Sequence, residues 1–243
     1  MAKDKNKKSL KERLADQRKQ LGEGSKGGYK TFIFKVGTTR LRPLPAPPEQ
    51  EFAVEVLYHF LSKELGGIVS PATWGDKCAF MEAHLEMSKS KDPSEQALAK
   101  KLKAKKKWMM AHVRYKDEQG KELDTEAGAK LAILTPGQYQ DVLDYYLDED
   151  DAGDFTDPVN GYDLKYTRVG TGQFDTEYSV RQCKPTKLPK PYSKEVYDPI
   201  ALAKALTPTY EETKALLDKY LNLEPEDSKA EDKPKKKKKK KDL

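Results

Sequence analysis

Lys100–Lys116, KKLKAKKKWMMAHVRYK, holds eight basic residues and no acid, and its rhythm changes at Trp108. Ser94–Lys107 reads as a helix, opened by Pro93 and Ser94 with Glu95 near its start, whereas Trp108–Lys116 alternates as a strand does. A lysine cluster neutralises backbone phosphates by releasing condensed counterions, and a flat indole stacks on unpaired bases with little regard for which base it meets. The same residues also fit a charged helix that runs into an ordinary strand.

The flanking segments place this stretch in a fold. Upstream, Tyr29–Val36, Thr38–Leu44 and Phe52–Leu61 carry the β-branched and aromatic alternation of strands, with Pro43, Pro45, Pro47 and Pro48 closing the second of them. Arg40 and Arg42 sit two apart on that strand and so share a side. Gly66–Lys107 interrupts the rhythm with helices at Asp76–Ser88 and Ser94–Lys107, which makes it an insertion between strands. Downstream come a strand at Ala129–Leu134 and a helix at Thr135–Leu147, with Thr135 as N-cap and Pro136 at its first position. Tyr162–Val169 and Asp175–Cys183 form a hairpin, followed by helices at Pro199–Ala205 and Thr209–Leu221. Asp141–Asp157, with eight acids and no base, reads as an open, solvated loop. This order predicts a mainly β chain with a helical insertion (α+β): an OB-fold β-barrel with a helical subdomain inserted between strands, flanked by a disordered basic N-terminus and a disordered C-terminal tail. The expected divisions are a basic leader over residues 1–28, a core over 29–192 with the inserted subdomain at 61–107, and C-terminal helices with a charged tail over 193–243.

Composition limits the function. Of the 243 residues, 35% are charged against 36% hydrophobic, which suits a folded body smaller than the whole chain. The formal charge is +6, yet Lys235–Lys241 alone contributes +7, so the rest of the chain sums to −1. Any affinity for nucleic acid must therefore come from a local patch rather than from bulk charge. Cys78 and Cys183 are too few and too far apart for a disulfide framework, and no segment reads as a signal peptide or a membrane span, so a reducing cytoplasm is expected. The chain has no glycine-rich phosphate loop and no nucleophile in a recognisable setting, and His59, His84 and His112 fall in unrelated elements. A binding protein is expected, not an enzyme.

In the order of its landmarks the chain resembles the single-stranded DNA-binding, helix-destabilising proteins of tailed bacteriophages of the T-even type, over roughly residues 5–190. The landmarks are Lys7-Lys8-Ser9 in the leader, Arg42-Pro43-Leu44-Pro45 closing a strand, Tyr58-His59-Phe60 closing the next and Asp76-Lys77-Cys78 opening a helix. A lysine cluster then leads into Ala111–Asp117, and the last is the hairpin around Thr167–Tyr178. The resemblance implies an OB-fold groove in which Arg42, Lys105, Lys106 and Lys107 contact phosphate and Phe174 stacks on a base. It also implies that Lys7, Lys8 and Ser9 join neighbouring protomers into cooperative arrays on single-stranded DNA. The setting would be phage DNA replication, recombination and repair in the cytoplasm of an infected bacterium, among phage replication proteins and away from membranes. Strand alternation and charge add Trp108, Arg114, Tyr115, Tyr162, Lys165, Tyr166 and Arg168 to the candidates. Each of these aromatics would either stack on a base or fill the barrel core.

The sequence departs from the family in two places. The acidic tail is reduced to Glu224, Glu226, Asp227, Glu231 and Asp232 before the seven lysines, which puts tail-mediated recruitment in doubt. The family holds zinc with one His and three Cys, and here His59 and Cys78 match two of those ligands while Met81 stands at a third. No cofactor is therefore expected, and Trp74, Phe80, Met81, Leu85 and Met87 are expected to form an apolar mini-core instead. The other readings of the same residues are an RNA- or duplex-binding basic protein and a non-enzymatic protein-interaction scaffold.

Overall fold

The computed structural model describes residues 31–32, 34–62, 65–123, 129–147, 153–170, 175–190, 192–193 and 196–223. They form a mixed α+β structure around an eight-stranded sheet. The strands are β1 (Thr31–Phe32), β2 (Gly37–Pro43), β3 (Ala53–Ser62), β4 (Gly66–Val69), β5 (Lys105–Val113), β6 (Lys130–Leu134), β7 (Tyr162–Val169) and β8 (Glu177–Pro185). The helices are α1 (Ala79–Met87), α2 (Pro93–Leu102), α3 (Pro136–Leu147), α4 (Pro199–Ala205) and α5 (Tyr210–Leu223).

β2 and β5 tie the sheet together. The first part of β2 pairs with β7, from Gly37 opposite Arg168 to Leu41 opposite Leu164, and its end pairs with β5 through Arg42 opposite Val113. β5 has β6 along one edge and β3, followed by the end of β2, along the other. The sheet curls: His112 Nε2 on β5 and the Tyr166 hydroxyl on β7 meet at 3.0 Å although β2 lies between their strands. The curl does not close. Among the described residues no pairing joins β8 back to β6 or β1, so the strands form an open sheet where the sequence predicts a barrel. α3 stands at the opening, where its Asp141 carboxylate accepts from the Val180 amide and its Tyr145 hydroxyl donates to the Val180 carbonyl. These bonds satisfy groups that an edge strand would otherwise leave free for another chain. Thr135 and Gln138 start α3 with reciprocal side-chain bonds to each other's amides, as the N-cap reading predicts.

Three cores follow from the strand faces. The inner face packs Leu41, Met110, Leu134, Phe155, Leu164 and Tyr166 around one centre. The outer face of β5 and β6 packs Met109, Ala111, Val113 and Leu131 beneath Leu202 and Leu206 at α4. Met109–Val113 is therefore buried on both faces, which is why this run does not alternate in hydrophobicity. The third core joins Leu61 and Ile68 of the β3–β4 hairpin to Phe80, Leu102 and Tyr220. α5 thus completes the inserted subdomain, and α4 completes the second core, although the sequence places both in a separate C-terminal region.

The structure corrects the sequence reading at several elements. α2 stops at Leu102, and Lys105–Lys107 open β5 rather than end a helix. The short strand β4 lies inside the insertion. In the expected mini-core, Phe80, Met81 and Met87 do meet, but Leu85 is exposed and Trp74 packs in the second core. The end of the acidic segment is folded rather than open: Phe155 is buried, the Asp154 side chain accepts from the Thr156 amide, and that of Asp157 accepts from the Val159 and Asn160 amides. No helix among the described residues is long and apolar enough to cross a membrane.

The buried His112 makes stability depend on pH. Its Nδ1–H donates to the Met110 carbonyl, so Nε2 accepts from the Tyr166 hydroxyl and the ring is neutral. Burial pushes its pKa down to about 4, so between that value and its ordinary 6.5 the unfolded chain binds the proton that the folded chain refuses. Stability is complete above pH 6.5 and is expected to fall by about 3 kcal/mol as the pH drops to 4. Burial lowers the His59 pKa as well, which adds a loss of the same sign. Urea unfolding at a series of pH values should show the decline starting near pH 6.5, above the carboxylate range; a flat curve down to pH 5 would contradict a neutral, buried His112.

Candidate nucleic-acid interface

Alternation on β3 and β5 decides which lysines act together. Tyr58 lies directly opposite Lys105 and Val56 opposite Lys107, so these side chains share the outer face, while Lys106 and Trp108 point to the other side. Phe60, two residues beyond Tyr58, continues the outer row and is 64% exposed. Gly67 lies opposite Phe60, and a Cβ there would come 2.5 Å from Tyr58 Cε1; without one, the tyrosine ring lies against the bare backbone of β4. Burial pushes the Tyr58 hydroxyl up to about 12, so it stays a neutral donor. The Lys107 ammonium is pulled below its usual value by burial and by the like charge of Lys105. Beside this row the Lys204 ammonium sits 5.2 Å from the centroid of the Trp74 ring. The outcome is a platform of the exposed Phe60 ring, the part-buried Tyr58 ring that also packs on the second core, and two ammonium groups with no acidic partner among the described residues.

The other predicted residues separate from it. Lys106 forms an ion pair with Glu55 at 2.8 Å, both exposed. Trp108 stacks on Tyr139 of α3, with ring centroids 4.8 Å apart and 11° between planes, and packs against the first core on the face away from Lys105 and Lys107. Arg42 is 0% exposed and cannot meet a phosphate. Its guanidinium donates to the carbonyls of Thr186 and Asp157 and lies 3.7 Å from the buried Asp163 carboxylate, an arrangement that Gly161 permits by having no Cβ to strike Arg42 Nη2. Tyr162 and Tyr166 are buried in the first core and present no face for stacking. Tyr115 is half-buried; its hydroxyl donates to Asp163, and burial pushes it up to about 12. Arg114 pairs with Glu118 at 2.9 Å, and Arg168 donates to the Phe34 carbonyl beside the Tyr178 ring. Lys165 lies on the outer face of β7, far from Lys105. Phe174, Lys7, Lys8 and Ser9 lie outside the described residues.

Lys105 and Lys107 are the members of the predicted set that this platform gathers. Tyr58 and Phe60 were legible as strand alternation and as a landmark closing that strand, but not as binding residues, because the pairing that sets them beside the lysines joins segments almost fifty residues apart.

His59 and Cys78 do come together, with Nε2 and Sγ 3.5 Å apart. His59 Nδ1 donates to the Leu102 carbonyl, and Nε2 accepts from the Ser70 hydroxyl at 3.1 Å. This donor set does not fit a closed zinc site, which takes four good ligands. Among the described residues no group of three His, Cys, Asp or Glu side chains is placed to hold a metal ion.

No family model matches the chain, and no curated protein is significantly similar to it.

Proposed function

We propose that this chain is a sequence-independent single-stranded DNA-binding protein that takes an unpaired strand along the outer face of β3 and β5. The placement of Tyr58, Phe60, Lys105 and Lys107 on one face is the observation that carries this reading. Lysines beside stacking rings suit an unpaired polynucleotide, whose bases are free to leave one another; in a duplex those base faces are hidden. The curled sheet with a helix at its opening is consistent with an OB-type platform. Phage replication, recombination and repair, with neighbouring protomers along the strand, is the setting that the order of sequence landmarks supports. The proposed activity is binding without catalysis.

A titration of fluorescently labelled oligo(dT) at two salt concentrations, with RNA and duplex competitors, tests this. Affinity should fall steeply with salt, and duplex should compete poorly. Lys105→Gln combined with Lys107→Gln should flatten the log–log salt slope by about 1.4, from about 0.7 for each single-strand phosphate no longer neutralised. Equal competition by duplex, or a slope indifferent to these lysines, would refute the proposal. RNA competing better than DNA would reassign the protein as an RNA binder.

A further inference from the structure

A second basic arrangement lies on the outer face of β2, β7 and β8. Arg40 is directly opposite Lys165, and Lys165 is directly opposite Arg181. Opposed residues of antiparallel strands project from one face about 5 Å apart, so three cations form a single row across three strands. The next row is Thr38, Thr167 and Ser179, all hydroxyls, with the Thr38 and Thr167 oxygens 3.1 Å apart. Arg181 and Ser179 are exposed, Lys165, Thr38 and Thr167 are half-buried, and the Arg40 side chain, beside Gly120, is 12% exposed, so Lys165 and Arg181 are the cations open to a ligand. Lys116 adds to the field: Cys183 on β8 lies near the charges of Arg40, Lys165 and Lys116, with the Asp163 carboxylate opposing them.

Like charges directly opposite each other destabilise a sheet. Arg40 is compensated by Asp163 at 2.6 Å, but among the described residues neither Lys165 nor Arg181 has an acidic partner. A ligand that relieves this repulsion must be anionic, and one that also uses a row of hydroxyl donors should be rich in acceptor oxygens. A sugar-phosphate backbone meets both needs, and no aromatic ring stands in either row to read a base.

This row is separate from the Tyr58–Lys105 platform. The middle of the shared face is covered by α4 and by Leu188 and Tyr197 packing on Leu44, Ala111 and Val113. Because Arg42 lies opposite Val113, the register puts Arg40 roughly 25 Å along the strand direction from Lys107.

We propose that the outer face of β2, β7 and β8 is a second nucleic-acid site, holding the backbone of another segment while the first lies on β3 and β5. This rests on the function proposed above. The test is calorimetric titration of the full chain at low salt with an oligo(dT) of about six nucleotides, near the short end of single-strand site sizes. Two equivalents are expected, the weaker one lost in Lys165→Glu/Arg181→Glu while the tighter is kept; Phe60→Ala should weaken the tighter and spare the other. The double variant should also lose acceleration of annealing between complementary strands. A single equivalent that depends on Phe60, or a second one that survives the double variant, would overturn the second site alone. Poly-glutamate displacing the weaker equivalent as well as an equally charged oligonucleotide would overturn it too, since the row would then take acidic protein. Absence of any bound oligonucleotide would sink the proposed function along with this site.

Discussion

Arg42→Met is expected to lower the unfolding free energy by about 3–5 kcal/mol and to leave oligonucleotide affinity of the folded protein unchanged. The guanidinium holds the Thr186 and Asp157 carbonyls at 2.9 and 2.7 Å and lies beside the buried Asp163. Removing it strands those acceptors in the interior and leaves Asp163 to Arg40, Tyr115 and Thr186. A buried charge deprived of one partner costs far more than an exposed pair is worth, because nothing replaces the water that folding removed. The melting temperature should drop by roughly 10 °C for a chain of this size. Arg42→Lys should recover only part of the loss, since one ammonium cannot span both carbonyls in the fixed geometry of the fork. The opposite pattern, normal stability with weakened binding, would place Arg42 on a phosphate and refute its role as an internal tie.

Phe60→Ala is expected to do the reverse. The ring is largely in water and belongs to none of the three cores, so truncation should change stability little. Loss of base stacking should cost about 1–3 kcal/mol of binding, which is roughly a five- to 150-fold rise in Kd for oligo(dT). Phe60→Tyr should bind nearly as well as the original because it keeps a flat π face. Phe60→Leu, which keeps apolar area without that face, should bind nearly as poorly as the alanine variant. Equal affinity for leucine and phenylalanine would mean that the site buries apolar surface instead of stacking bases.

The contrast between these two residues shows where sequence reading works. Local chemistry was legible: alternation marks β2, β3, β6 and β7, and Thr135 with Gln138 caps α3 as expected. Elements whose local signal conflicts with their setting were not. Lys105–Lys107 continue a helix-like run yet extend into β5, because pairing with Val56, Leu57 and Tyr58 outweighs the weak helical preference of a few lysines. β4 contains two glycines and no alternation, so only its pairing with β3 identifies it.

The candidate site divides in the same way. Charge and ring content marked Lys105, Lys107 and Lys165 without saying which of them stand together. Arg42 and Arg40 share one side of one strand, yet Arg42 is sealed beneath Asp157, Gly161 and Thr186, while Arg40, paired with Asp163, starts the row that continues through Lys165 to Arg181. Tyr162 and Tyr166 alternate as candidate stacking rings do, but the curl of the sheet turns that side inward.

The order of the elements other than β4, the cap of α3 and the inventory of cations and rings were set by the sequence alone, since each depends on neighbours within a few residues. Which of those side chains meet water, and which cations share a face, was decided only by tertiary structure. Strand register and sheet curl join segments far apart in the chain, and burial at one position depends on the whole body that folds over it.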